Sequence, residues 1–149
     1  MKQNFENNLY LIGIKRLLID EENTFTLKNG YHLELNMVQK EEKIKKYFVL
    51  RIILLDKNGI AAYALEVSKK MHKPIMDMSI LEKINYILEP NHLFGKKEYD
   101  KMYHSFIYDI PLPKLEIQHV LSEEANHILF NFKQTLLVNK PKKYKRKVR

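Results

Sequence analysis

The chain has 149 residues, 45% of them hydrophobic and 30% charged, which is an ordinary composition for one folded domain. It contains no cysteine, and this excludes disulfides, thiolate metal sites and cysteine catalysis. The net charge is +8, but residues 140–149 hold seven lysines and arginines and no acid, so the rest of the chain carries about +1. We therefore expect a single domain over residues 1–139, followed by a basic disordered tail at 140–149.

The N-terminal part is expected to begin the sheet. Residues 9–14 form an apolar run that is too short to span a bilayer or to form a signal-peptide core of the usual length, which favours a soluble, cytoplasmic protein. We predict a first strand at residues 9–19, although its apolar residues fall on both odd and even positions. A strand can resume at 24–27, before the turn signal Asn29–Gly30.

Three clearer strands follow. Apolar and polar residues alternate over 31–38, the period of a half-buried strand. A charged segment at 40–46 is predicted to be a solvated connection to the next strand, at 47–55. Asn58–Gly59 then predicts a tight turn into a fourth strand at 60–67, because this dipeptide tolerates the positive φ angles that hairpin turns need.

The strand at 47–55 is apolar on both faces, and this is the strongest architectural signal in the chain. One face carries Phe48, Leu50, Ile52 and Leu54, and such a strand needs cover on both sides. The layer that covers the second face belongs either to this chain or to another copy of it, and the sequence favours neither alternative. We predict that the residues of an oligomer interface are Tyr47, Val49, Ile53 and Leu55.

The periodicity then becomes helical. Ser79 and Glu82 form a capping-box pattern, and the helix that follows is expected to stop at Pro90. A second helix is predicted from about Lys96 to 108. An extended apolar connector at 110–113 then leads to Leu115 and Ile117, and a final helix is predicted from a Ser122 cap to 138. The predicted fold class is α+β, with a four-stranded or slightly larger antiparallel sheet and two to three C-terminal helices packed on one face.

No motif indicates a reaction. The four glycines are scattered, so no glycine-rich phosphate loop is present. The pairs Asp100 with His104 and Glu124 with His127 each offer two metal ligands, whereas a zinc site needs three or four. We predict a protein that is not an enzyme and that holds no metal or cofactor.

The basic tail is the strongest signal outside the core. Its dense cations would attract a polyanion through counterion release, and Tyr144 could stack on a base. The alternative of a merely solubilising tail stays open. The predicted polyanion-binding residues are Lys140, Lys142, Lys143, Lys145, Arg146, Lys147 and Arg149.

The second half of the chain carries a resemblance to a known family. Leu93 and Phe94 precede the predicted helix at 99–108, and residues 110–115 read Ile-Pro-Leu-Pro-Lys-Leu. This order resembles the SecB-type export chaperones, in which a four-stranded antiparallel sheet is followed by a helix, a connector containing Leu and Phe, a long helix and a proline-containing segment.

The resemblance implies a tetrameric holdase, a dimer of dimers that binds unfolded or partner polypeptides in apolar grooves without nucleotide and without inserting into a membrane. Two alternatives remain open: a small nucleic-acid-binding or ribosome-associated protein that uses the tail, and an accessory inhibitor encoded by a phage or plasmid. The client-binding residues that the resemblance implies are Tyr63, Leu65, Leu93, Phe94, Met102, Phe106, Ile110 and Leu112.

Overall fold

The structure is a computed structural model, and it describes residues 2–42, 45–71, 73–88 and 111–139. The α+β prediction is confirmed, because these residues form a four-stranded antiparallel sheet and three helices, one of them C-terminal; one helix, however, precedes the sheet. In chain order the elements are α1 (Lys2–Leu18), β1 (Thr24–Thr26), β2 (His32–Glu42), β3 (Lys45–Leu55), β4 (Ala61–Lys70), a 3-10 turn (Ile75–Asp77), α2 (Ile80–Ile87) and α3 (Leu115–Val138).

The strands lie in the sheet in chain order, so β1 and β4 are its edges. The predicted turn between β3 and β4 is confirmed. The Asp56 carboxylate accepts the backbone N–H groups of Asn58 (2.8 Å) and Ile60 (2.9 Å), and Gly59 adopts a φ of 79°. Glycine reaches this left-handed conformation without steric cost.

The β2–β3 hairpin is longer than its sequence indicates. Residues 40–42 and 45–46 belong to strands and not to a connection, since β2 continues to Glu42 and pairs in register with β3 from Lys45. The prediction was wrong because an antiparallel ladder is held by backbone hydrogen bonds, and polar residues can continue it without a buried face.

The predicted first strand at 9–19 is wrong, because most of this segment belongs to helix α1. All six residues from 9 to 14 are buried. A helix that is enclosed on every side shows no single apolar stripe, so its apolar residues fall on both odd and even positions. α1 comes closest to the sheet at Gly13, where a Cβ atom would lie 2.8 Å from Ile52 Cδ1 and 3.1 Å from Leu35 Cδ2.

The capping box predicted for α2 is confirmed. The Ser79 hydroxyl accepts the Glu82 N–H (3.2 Å), and the Glu82 carboxylate accepts the Ser79 N–H (3.0 Å). Lys73 also donates a hydrogen bond to Glu82 (2.6 Å). The pKa of Glu82 is lowered, mainly by the hydrogen bond from Lys73 and next by the hydrogen bond from the Ser79 N–H.

Helix α3 begins seven residues earlier than predicted. Residues 111–114 are non-helical, as the prolines at 111 and 113 predict, but Leu115 and Ile117 already belong to the helix, ahead of the predicted Ser122 cap. Ser122 therefore lies inside the helix and does not cap it. The reason is that the buried stripe already starts at the first turn and recurs every three or four residues. It consists of Ile117, Leu121, Ala125, Ile128 and Phe132.

The core lies between α1 and the facing side of the sheet, and it continues between α1 and α3. α1 packs over β2 and β3, while both other helices contact α1. Within the described ranges, no helix is long and apolar enough to cross a bilayer. The helix predicted from Lys96 lies outside the described residues.

Candidate interaction surface

Within the described residues, the sheet has an inner face, which packs against the helices, and an outer face, which lies outside the core that they form. On β3, Leu50 and Ile52 are fully buried on the inner face. Because strand side chains alternate, Val49, Ile53 and Leu55 point to the outer face. These three are only half-buried, and they belong neither to the core cluster nor to the hydrophobic residues packed against it.

The outer residues of β3 form what we call the apolar column: Tyr47, Val49, Ile53 and Leu55. It spans eight residue steps, or about 26 Å. Val38 of β2 pairs with Val49 and is 50% exposed, so it widens the column on one side.

An ion pair crosses the apolar column at its middle. Arg51 lies directly opposite Glu66 of β4, and its guanidinium is 3.1 Å from that carboxylate. An exposed pair of this kind contributes little to stability. It places one pair of opposite charges within an otherwise apolar surface.

Small residues flank the column on β4. Ala64 pairs with Ile53 and has no exposed surface, and Ser68 pairs with Val49. Within the part of the chain that the structure describes, β4 has a strand neighbour on one side only. An edge strand offers a row of backbone donors and acceptors, so another strand can be added beside the column.

Two residues that the resemblance assigns to client binding lie in the core. Tyr63 and Leu65 are on the inner face of β4, with 1% and 0% exposure. Phe5 of α1 packs edge-on against the Tyr63 ring at 5.0 Å. The two residues therefore offer no surface to a client in this arrangement, because α1 occupies the place that a groove would need.

The other predicted site residues divide into two groups. Leu112 is half-buried and packs against the core. Five client-binding residues and the whole polyanion-binding set lie outside the described residues. These are Leu93, Phe94, Met102, Phe106, Ile110, Lys140, Lys142, Lys143, Lys145, Arg146, Lys147 and Arg149.

A buried polar cluster joins α1, β4 and α2. The Tyr63 hydroxyl donates to the Glu6 carboxylate at 2.6 Å, and both side chains are sealed from solvent. Burial, followed by this hydrogen bond and the charge of Glu6, raises the pKa of Tyr63 well above its usual range. Lys69 is also buried and donates to the Tyr86 carbonyl at the end of α2 (2.5 Å). Because solvent does not reach these groups, we assign the cluster a structural role.

A cleft of about 390 Å³ lies between β1 and α3, and Glu124 and His127 are among its lining residues. The Arg16 guanidinium is 4.0 Å from the Glu124 carboxylate and 3.1 Å from the Asp20 carboxylate, so both carboxylates form an ion pair with this arginine. In the described ranges, no group of three or more His, Asp or Glu side chains is placed to hold a metal ion. The Asp100 and His104 pair lies outside them.

Glu6 and α1 are the features that sequence reasoning missed. Glu6 stands in a polar N-terminal stretch, so its burial has no local signal, and only the assignment of α1 as a helix would place it near β4. No family model, no curated protein and no solved structure matches this chain. The apolar column and its flanks therefore provide the basis for a functional proposal.

Proposed function

We propose that this chain is a non-enzymatic, cytoplasmic polypeptide-binding protein of the SecB-like kind. In this proposal, the outer sheet face binds either a second copy of the chain, in a reversible association, or an unfolded or partner polypeptide, so the two compete for the apolar column. The observation that supports it is the apolar column, whose Val49, Ile53 and Leu55 lie outside the core formed by α1, α2, α3 and the inner sheet face.

The arrangement of the column favours polypeptide as its ligand. Single exposed apolar side chains are common, but a contiguous apolar patch with a polar rim is typical of an interaction site. The rim here includes Glu34 and Asn36 on β2 and Lys70 on β4, all exposed. An extended chain can use the β4 edge for its backbone hydrogen bonds and the column for its side chains, which is β-strand addition.

The test uses an unfolded client and a charged column. We would label a reduced, carboxymethylated lactalbumin and measure its binding by fluorescence anisotropy, together with suppression of aggregation of a heat-unfolded enzyme. The double variant Val49→Asp/Ile53→Asp should weaken client binding at least about tenfold, because two carboxylates replace the apolar surface.

Asn36→Asp is the matched control, since it adds the same carboxylate to the same face of the sheet but outside the column. It should retain client binding. Both proteins should keep the far-ultraviolet circular dichroism of the parent, because none of these positions contributes to the core. A double variant that is folded and binds the client as tightly as the parent would refute the proposal.

A further inference from the structure

The edge of the sheet at β1 presents backbone groups that face away from β2. The N–H of Leu27, just after the strand, donates to the Tyr31 carbonyl (2.7 Å), so Leu27 faces β2. Backbone groups alternate in direction along an antiparallel strand, so Thr24 and Thr26 direct their N–H and C=O groups outward. Within the described residues, β1 has a strand neighbour on its β2 side only. These outward groups are therefore the kind that can pair with an added strand.

The cleft of about 390 Å³ lies against this edge. Phe25 and Thr26 line it on the β1 side, and Glu123 and Glu124 line it on the α3 side. Phe25 pairs with Leu33, which is buried on the inner face, so the Phe25 side chain points to the side of the sheet that the helices cover. Cross-strand partners point to the same side. A residue added opposite Phe25 would therefore direct its side chain into the cleft.

Arg16 of α1 connects the two walls of the cleft. Its guanidinium carbon lies 3.8 Å from the centre of the Phe25 ring, and the guanidinium is 4.0 Å from the Glu124 carboxylate. Asp20, at 3.1 Å, is a further partner of the same arginine. Because contacts within the chain hold both walls, the cleft is formed before a ligand arrives, and binding requires little reordering.

The charge of the cleft favours a cationic ligand. Glu124 is paired with Arg16, whereas Glu123 is exposed and forms no ion pair or hydrogen bond with any described residue. Lys28 also lines the cleft, but it follows β1 and stands in the turn. A cationic side chain that enters beside Phe25 gains an ion pair with Glu123, and an anionic one meets a like charge.

We propose that the β1 edge and the cleft beside it form a second polypeptide-binding site, which pairs with an extended segment and takes a lysine or arginine of that segment into the cleft. Thr24 and Thr26 supply the backbone hydrogen bonds, Phe25 the apolar contact and Glu123 the ion pair. The site lies at the opposite edge of the sheet from β4 and uses no residue of the apolar column. It can therefore fail, or succeed, independently of the function proposed above.

The test measures binding of the fluorescein-labelled peptide Thr-Val-Thr-Arg-Thr-Val-Thr to the full chain by fluorescence anisotropy. The alternation of this peptide places Arg and both Val on the same face of an added strand. The parent should bind it about fivefold or more tightly than the same peptide with Glu in place of Arg, because that Glu meets the charge of Glu123. This preference should diminish as salt is raised.

Thr26→Pro tests the backbone pairing. It removes the outward N–H and leaves the ladder to β2 in place, since an edge strand tolerates proline where the N–H faces outward. The variant should bind the Arg peptide about fivefold or more weakly than the parent does. Thr26→Val is the matched control, because it changes the same side chain but keeps the N–H, and it should bind as the parent does.

Glu123→Gln tests the ion pair. It should weaken binding of the Arg peptide about two- to fivefold and leave binding of the Glu peptide no weaker. Glu116→Gln is the matched control, an exposed glutamate of the same helix outside the cleft, and it should bind as the parent does.

Two results would overturn the proposal. One is that either Thr26→Pro or Glu123→Gln, shown by circular dichroism to be folded, binds the Arg peptide as tightly as the parent. The other is that the parent binds neither peptide while Thr26→Pro lowers the molar mass of the chain in solution, which would mean that the edge takes a second copy instead.

Discussion

The hydrogen bond between Tyr63 and Glu6 shows how one pair of side chains ties α1 to β4. Burial and Glu6 raise the pKa of Tyr63, so the folded state keeps the phenol protonated at a pH where the unfolded chain ionises it. The stabilisation is fully present below the ordinary tyrosine pKa of about 10, and it is lost as the pH rises from there toward the raised pKa.

Tyr63→Phe tests this linkage. At neutral pH the variant should lower the free energy of unfolding by about 1–3 kcal/mol, because Glu6 stays buried without this donor. Above about pH 10 the difference from the parent should narrow, since only the parent loses the tyrosine contribution. Urea unfolding across this pH range is the measurement. Tyr31→Phe, at a half-buried tyrosine outside the pair, controls for loss of a hydroxyl at neutral pH. If the free energies of unfolding of the parent and of Tyr63→Phe changed in parallel with pH, the linkage would be contradicted.

Glu21 holds a strained backbone at the end of α1. Its φ is 55°, a left-handed conformation that costs a non-glycine residue roughly 1 kcal/mol, and the next N–H, of Glu22, donates to the Arg16 carbonyl (2.9 Å). This bond closes a seven-residue turn at the end of α1, and glycine is the residue that usually occupies a left-handed position after a helix end.

Glu21→Gly should therefore raise the free energy of unfolding by about 0.5–1 kcal/mol, measured by urea denaturation at neutral pH. Glu22→Gly is the matched control at the next position, where the backbone has no positive φ. It should not stabilise the protein. Equal shifts in both variants would mean that the strain at Glu21 is not responsible.

At the scale of the elements, α1 is the helix that determines the fold, and Gly13 is its point of closest approach to the sheet. Gly13→Val should force the fully buried Ile52 and its neighbour Leu35 to move, because their side-chain ends would lie about 3 Å from the new Cβ. We expect a loss of about 1–3 kcal/mol of unfolding free energy beyond that of Asn7→Val, an exposed site on the same helix. If Gly13→Val destabilises the protein no more than Asn7→Val does, the close approach of Gly13 to Ile52 and Leu35 does not matter.

Elements with a local chemical signal could be predicted from the sequence. The β3–β4 turn follows from Asn58–Gly59, and the start of α2 follows from Ser79 and Glu82, because these residues interact with their own neighbours. α1 and the start of α3 could not be predicted in this way. Residues 9–14 form a helix that distant elements enclose. Hydrophobic periodicity identifies a helix only when one of its sides faces solvent, so it gives no signal here.

The outer face was predictable only in part. The pattern of β3 indicates two apolar faces, and the structure places Val49, Ile53 and Leu55 together outside the core. The sequence pattern of β3 does not indicate which of its two apolar faces the helices cover. The resemblance to SecB-type chaperones implies a client groove that includes Tyr63 and Leu65, but these residues lie on the face of β4 that α1 occupies.

At the scale of the whole molecule, the outer face sets the expected strength of association. The three long strands β2, β3 and β4, at about 4.8 Å spacing and with about ten residues each at about 3.3 Å, give a face on the order of 500 Å². A standard stable interface buries roughly 800 Å² per partner, so contact through this face alone should be reversible and concentration-dependent.

The most direct test of the central claim is the molar mass of the full chain in solution, measured by light scattering over a wide concentration series. The parent should exceed 17.9 kDa, the mass of one chain, and its mass should rise with concentration. Val49→Asp/Ile53→Asp should stay at 17.9 kDa, while Asn36→Asp should behave as the parent. A parent that remains at 17.9 kDa at every concentration would contradict association through the outer face.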